Sequence, residues 1–263
     1  IDLIIGAHSH RAIPGMKIGR KTWYIQAGAH GEYLGVVNVE IDSTAHRVTD
    51  ITSTLEPVQQ NMVKDASMRA AFKAYFARVK DVANRPVCTL AQPISAHGTP
   101  GKDCETSALL ANAIVHATQA KAVIHGRLSR KGLDAGRVTE GDLFDLVPYE
   151  NRIGIAQLTP KEIAAILAEQ QAWCDSHAYC GFHSQSLAWD AEASQVNHPD
   201  GRPVASNTRI ATAFNSYILA GGGGRFPKLH RIVHKPTSML NDTGLYTRRL
   251  VRDYLHTFSK GSK

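Results

Sequence analysis

The sequence is short of cysteine, of aromatic residues and of long apolar runs. Only four of its 263 residues are cysteine, at positions 88, 104, 174 and 180. None forms a C-x-x-C pair, and none lies with histidines at the spacing of a zinc finger, so that class is excluded. The even number permits two bridges, Cys174 with Cys180 and Cys88 with Cys104, and equally permits four free buried thiols. No apolar run is long enough to span a membrane. Aromatics make up 7% of the chain, and the excess of seven positive charges is spread along it rather than gathered into a basic stripe. That argues against a nucleic-acid partner and suits an anionic small molecule. There is no internal repeat and no low-complexity segment. There is no initiator methionine either: Ile1 stands at the edge of an apolar run, which predicts a fragment whose N-terminal part, with any signal peptide, lies upstream.

What is present is an ordinary globular composition, 43% hydrophobic and 20% charged, sized for one large or two modest domains. The first ten residues carry the most pointed signal. The aliphatic run Leu3-Ile-Ile5 predicts a short buried strand that ends in Gly6-Ala-His-Ser-His10. Chemistry in α/β sheets gathers on the loops that leave the carboxyl ends of strands. On an extended segment His8 and His10, two apart, would point the same way and could grip one metal or two adjacent ones. The plainer reading is a His-Ser-His turn with solvated rings.

Along the chain, Arg11 to Lys21 reads as a polar loop with Pro14, Gly15 and Gly19. Thr22–Ala27, Leu34–Ile41 and Val48–Leu55 read as strands. Asn61 to Asn84 reads as an amphipathic connector helix with apolar side chains at Met68, Phe72, Tyr75, Phe76, Val79 and Val82. Pro86 stops it. The remainder predicts an α/β domain: a strand at 88–94, a helix at 105–119, a strand at 122–124, a basic loop at 126–136, a capping box opened by Thr139, a strand at 153–158, a second box at Thr159-Pro-Lys-Glu162, a strand at 208–214 and a terminal helix at 245–257. The cysteines aside, His30 in its glycine turn reads as structural.

Three stretches of that half can carry chemistry. The loop Gly126–Gly136 holds Arg127, Arg130 and Lys131, and arginines between glycines can fork onto phosphate or carboxylate. Pro148-Tyr-Glu-Asn151 puts a ring and an amide in one tight turn. Tyr217 precedes Gly221–Gly224, where glycine lets a backbone pass close to a ligand. Each alone could equally be a solvated loop, a plain turn or a flexible one.

The order of these motifs resembles the 5'-nucleotidase family. Gly-Ala-His-Ser-His resembles the last metal-binding motif of the calcineurin-like metallophosphoesterases found in those enzymes. The Glu-Thr-Ser helix, the basic glycine loop ending Asp-Ala-Gly136, Pro-Tyr-Glu-Asn, the Thr-Pro-Lys-Glu helix and the late tyrosine with its glycines resemble their C-terminal domain. The resemblance implies an α/β (α+β) fold: the end of a metallophosphoesterase sandwich over 1–56, a linker helix over 57–87 and a substrate-binding domain over 88–263. It implies two divalent metal ions, of which His8 and His10 would be ligands, with the remaining ligands and the catalytic residues upstream. The metal's identity among Zn, Mn, Mg and Ca is not legible. It places Arg130 on the substrate, Tyr149 and Tyr217 on the two faces of the base, Asn151 on the base's polar edge, and Gly222 and Gly223 where the late loop approaches the ligand.

The resemblance has gaps. The family's basic loop commonly begins with asparagine where this chain has His125, and has glycine where this chain has Arg127. Gly223 stands where the family commonly has an aspartate that binds ribose. Further arginines before the Glu-Thr helix have no clear match, and Lys102 is the nearest cation. The expected function is hydrolysis of nucleotide phosphate esters by water at a two-metal site, in a periplasmic or extracellular setting, with this chain carrying mainly the substrate half and inactive alone. The alternatives are a non-catalytic nucleoside-binding module, a 2',3'-cyclic-nucleotide phosphodiesterase or UDP-sugar hydrolase, and a thiosulfohydrolase, which would not need an aromatic base clamp.

Overall fold

A computed structural model describes residues 1–174 and 181–260. The chain divides into two compact units, Ile1–Lys73 and Ala74–Lys263, with the boundary inside the first long helix.

The first unit is β-rich. β1 (Leu3–Ile5) pairs parallel with β3 (Thr22–Ala27), and β2 (Ala12–Ile18) pairs antiparallel with β3 on its other side. The stretch expected as a polar loop is therefore mostly a strand. Pro14 and Gly15 are absorbed by a register shift between Ile13 and Met16 on an edge strand, both of which tolerate proline. β4 (Tyr33–Asp42) and β5 (Arg47–Pro57) form a long hairpin paired from Tyr33↔Pro57 to Asp42↔Arg47, with a one-residue register shift between Glu40 and Ile41. β1 is less buried than its composition predicts: it is an edge strand with one partner, and Ile5 is 76% exposed. α1 (Ala66–Ala83) starts later than the apolar period suggests, because Asp65 caps it through Met68 N–H at 2.8 Å. It buries no residue.

The second unit opens with β6 (Pro86–Leu90), α2 (Glu105–Thr118), β7 (Ala122–Ile124), β8 (Gly136–Thr139) and α3 (Glu140–Leu146). It continues through β9 (Arg152–Leu158), α4 (Pro160–Cys174), β10 (Phe182–His183), β11 (Ala188–Asp190), β12 (Gln195–Asn197) and β13 (Ile210–Asn215). α5 (Ser216–Leu219), α6 (Pro227–Val233), β14 (Asn241–Tyr246) and α7 (Thr247–Lys260) complete it. The central sheet runs β10-β7-β13-β9-β14. β7 and β13 are parallel; the other pairings are antiparallel.

Alternation along the strands feeds two cores, one on each face. Val123, Ile153 and Ala213 point into a cluster with Leu110 and Ile114 of α2 and Val251 and Leu255 of α7. Ala122, Ile124, Ala156 and Phe214 point into a second cluster with Ile163 and Ile166 of α4 and Phe226 and Leu229. The result is a three-layer, mixed α/β unit. Both capping boxes expected from the sequence are formed: Asp142 N–H reaches Thr139 Oγ1 at 3.3 Å, and Glu162 N–H reaches Thr159 Oγ1 at 3.3 Å. Cys88 and Cys104 are buried and free, not bridged. Burial pushes the Cys88 thiol up. Cys180, and with it any bridge to Cys174, lies outside the described residues. Among the described residues no helix is long and apolar enough to cross a membrane.

Candidate functional site

Four of the residues singled out in the sequence come to one end of the central sheet, and topology is the reason. β7 and β13 run parallel, so the loops after both leave the same end; these carry Arg130 and Tyr217. β9 runs antiparallel to β13, with Ile153 opposite Asn215, so the turn before β9 joins them with Tyr149 and Asn151. Ser216 couples two of these loops directly. Its hydroxyl donates to Asn151 Oδ1 at 3.4 Å and accepts from Arg152 N–H at 3.2 Å.

The Tyr149 turn is braced from α7. Thr247 donates to Asn151 O through both its N–H (2.9 Å) and its hydroxyl (3.0 Å). Arg248 donates to Val147 O at 2.9 Å and to Glu150 Oε2 at 2.8 Å. The Tyr149 ring itself stands 61% exposed, and that of Tyr217 38%. The two rings do not stack on each other. Asn151 Nδ2 meets no acceptor among the described residues, which leaves a free donor in that turn. Arg130 is exposed, whereas Arg127 is spent on structure, donating to Ala96 O at 2.9 Å and Gly98 O at 3.2 Å.

His125 takes a role the sequence did not disclose. Its ring is 1% exposed. Asn215 accepts from Ile218 N–H at 2.8 Å through Oδ1, so its Nδ2 must donate to His125 Nε2 at 3.1 Å. Nε2 is then an acceptor, and Nδ1 carries the proton that goes to Gly126 O. The imidazole is thus fixed neutral, pinning the start of the Arg130 loop to the end of β13. Burial drives its pKa down from 6.5 to about 4, against the Gly126 hydrogen bond, with nearby His183 adding to the fall. His183 in turn bonds Ser107 Oγ through Nε2 at 2.7 Å and ties β10 to α2.

The glycine run is built rather than slack. Gly221, Gly222, Gly223 and Gly224 have φ of 88°, 58°, 69° and 86°, all in the left-handed region. Gly222 N–H donates to Tyr217 O at 2.9 Å and Phe226 N–H to Gly221 O at 2.9 Å. A Cβ on Gly222 would lie 2.5 Å from the buried Phe226 ring, whereas one on Gly224 would meet open space. Gly222→Ala is therefore expected to cost about 2 kcal/mol or more, and Gly224→Ala about 1 kcal/mol. Equal losses in a paired denaturant titration would contradict this account of the loop.

In the first unit, His8 and His10 are not on an extended segment. Their φ values are 68° and 59°, and Ser9 N–H closes a turn onto Ala7 O at 2.8 Å. Gln26, 1% exposed, holds that turn from beneath. Only one orientation satisfies both ends of its carboxamide: the oxygen accepts from His10 N–H at 3.1 Å and Arg11 N–H at 3.0 Å, and the nitrogen donates to Tyr24 Oη at 2.7 Å. Left-handed backbone is strained for histidine. His30 is left-handed too, at φ 55°, and its ring meets His10 edge-on at 5.7 Å. Among the described residues no group of three or more potential ligands forms a complete metal site.

A cavity of about 510 Å³ lies elsewhere in the second unit, lined by Lys102, Leu167, Gln171, Phe182 and Trp189 among others. It includes none of the residues expected to bind substrate.

Residues 84–231 match the family model of the 5'-nucleotidase, C-terminal domain. The chain belongs to that family. Endonuclease YhcR of Bacillus subtilis is 23% identical over 245 residues, which span 90% of this chain and 20% of the relative. The trifunctional nucleotide phosphoesterase protein YfkN of the same organism is 24% identical over 249 residues, 85% of this chain and 17% of the relative. The solved 5'-nucleotidase precursor from Thermus thermophilus shares the fold, with a TM-score of 0.60 at 18% identity over 98% of this chain and 57% of that one. The chain thus spans about a fifth of the two curated relatives and little more than half of the solved structure.

Proposed function

We propose that the second unit binds the nucleoside part of a nucleotide, and that the parent protein hydrolyses a phosphate ester of it. The observation that carries this reading is that the turn of Tyr149 and Asn151 and the segment of Tyr217 share one sheet end and are bridged by Ser216, while the loop of Arg130 leaves the same end. Two exposed rings on braced loops can hold a planar base by offset stacking, which tolerates many bases. Asn151 Nδ2 then donates to an acceptor on the base's edge, and Arg130 pairs with the phosphate.

Metal chemistry belongs to the same proposal. His8 and His10 fit as two of the ligands: both rings are exposed, their backbone is held in a strained turn, and no ring nitrogen is bonded to protein among the described residues. When bound, two divalent ions polarise the phosphoryl group and lower the pKa of the attacking water. The two histidines would serve as neutral ligands. The setting proposed by resemblance is periplasmic or extracellular.

The experiment is phosphate release from AMP by the full-length protein with added divalent metal. His8→Ala and His10→Ala should each lower turnover by about tenfold or more while leaving adenosine binding intact. Full-length protein that binds adenosine but releases no phosphate with any metal would mark a binding module and overturn the hydrolase reading.

A further inference from the structure

Arg225 follows the glycine run and folds back onto it. Its Nη1 donates to Tyr217 Oη and to Gly222 O, the latter at 2.7 Å. Its guanidinium carbon lies 5.1 Å from the centre of the Trp173 ring. A long side chain on the surface is thereby held in one place from three sides. The bonds to Tyr217 and Gly222 use both protons of Nη1. The N–H of Nε and the two of Nη2 have no acceptor among the described residues.

No described carboxylate lies within ion-pair reach of Arg225. Residues 201–241 contain no Asp or Glu; Arg202, Arg209 and Lys235 pair with Asp200 and Glu162 from outside that stretch, whereas Arg225 does not. Gly223 is part of the arrangement. A Cβ there would sit 3.3 Å from Arg225 Nη1 and 3.2 Å from Tyr217 Oη, so any side chain at 223 would press on the space the two share. The loop thus presents a fixed fork of donors, unpaired among the described residues, at the hydroxyl edge of Tyr217.

We propose that Arg225 is a specificity-determining residue that binds a second anionic group, on the 2' or 3' side of the sugar of a nucleotide stacked on Tyr217. The proposal rests on the nucleoside-binding reading above and names its substrate class: nucleotides phosphorylated on both sides of the ribose. Arg130 takes the 5'-phosphate and Arg225 the other. Each anion meets its own loop, and a base with one phosphate leaves Arg225 without a ligand.

The test is calorimetric titration of the chain with adenosine, AMP and adenosine 3',5'-bisphosphate at low salt. Wild type should bind the bisphosphate about tenfold or more tighter than AMP. Arg225→Gln should weaken the bisphosphate several-fold more than it weakens adenosine or AMP, reducing that preference to about twofold, and Arg225→Lys should restore part of it. A wild type that binds adenosine and AMP but gains nothing from the second phosphate overturns this proposal and leaves the clamp standing. Equal weakening of all three ligands by Arg225→Gln also overturns it, making the arginine a prop for Tyr217. A wild type that binds none of the three overturns the clamp and this proposal together.

Discussion

Between pH 6.5 and pH 4 the protein should lose about 3 kcal/mol of folding stability, with the buried imidazole of His125 as the main cause. The sign follows from the two pKa values. In the unfolded chain His125 takes up a proton near its ordinary 6.5, whereas in the folded protein burial delays uptake to about 4. Between those values the unfolded state holds more protons, so stability falls as pH falls. Below about 4 both states are protonated there and the loss levels off. The reason is geometric. Nε2 accepts from Asn215, so a second proton on the ring would set donor against donor in a site without water access. His183, also depressed chiefly by burial, pushes in the same direction. Urea unfolding at half-unit pH steps should show this slope, and His125→Asn should flatten it. An unchanged slope in that variant would mean that another group governs acid lability.

Tyr149→Ala and Tyr217→Ala should each weaken adenosine binding by roughly one to two decades, since a base stacked on an aromatic ring gains about 1–3 kcal/mol. The two rings come from separate loops, so either loss should leave the other face of the slot in place. Neither ring belongs to a core cluster. The folded state should therefore survive: Tyr149 is largely exposed, and Tyr217 is held by its hydroxyl's bond to Arg225. Arg130→Ala should leave adenosine unaffected and weaken AMP, because the contact it removes is to the phosphate. Tyrosine variants that fold and bind adenosine as wild type does would dismiss the clamp and the substrate assignment with it.

Local signals carry much of the fold. The two capping boxes at Thr139 and Thr159 need only residues three apart, and the strands Thr22–Ala27 and Ala122–Ile124 only a short apolar run between breakers. β2 is hidden because Pro14 and Gly15 look like a loop until β3 supplies the partner that a bulge can fit. β14 is hidden because Asp242 and Gly244 interrupt its pattern, and its last residues read as the start of the helix that follows. β10, β11 and β12 are too short to carry a period of their own.

The site is legible in part, for a related reason. Tyr149, Asn151, Arg130 and Tyr217 stand at recognisable motif positions, and strand order then gathers them. His125 gives no local sign, since its meaning depends on Asn215, ninety positions away in sequence. Arg225 looks like any arginine after glycines until four left-handed residues turn it back onto Tyr217. His8 and His10 depart from the extended geometry expected of them because Gln26, sixteen or more positions away, holds their backbone in a turn.

The most direct test of the nucleoside site is a crystal structure of this chain grown with adenosine. The base should lie between the rings of Tyr149 and Tyr217, with Asn151 Nδ2 on its edge. A base seated instead in the cavity lined by Phe182 and Trp189, with both tyrosines untouched, would contradict the account.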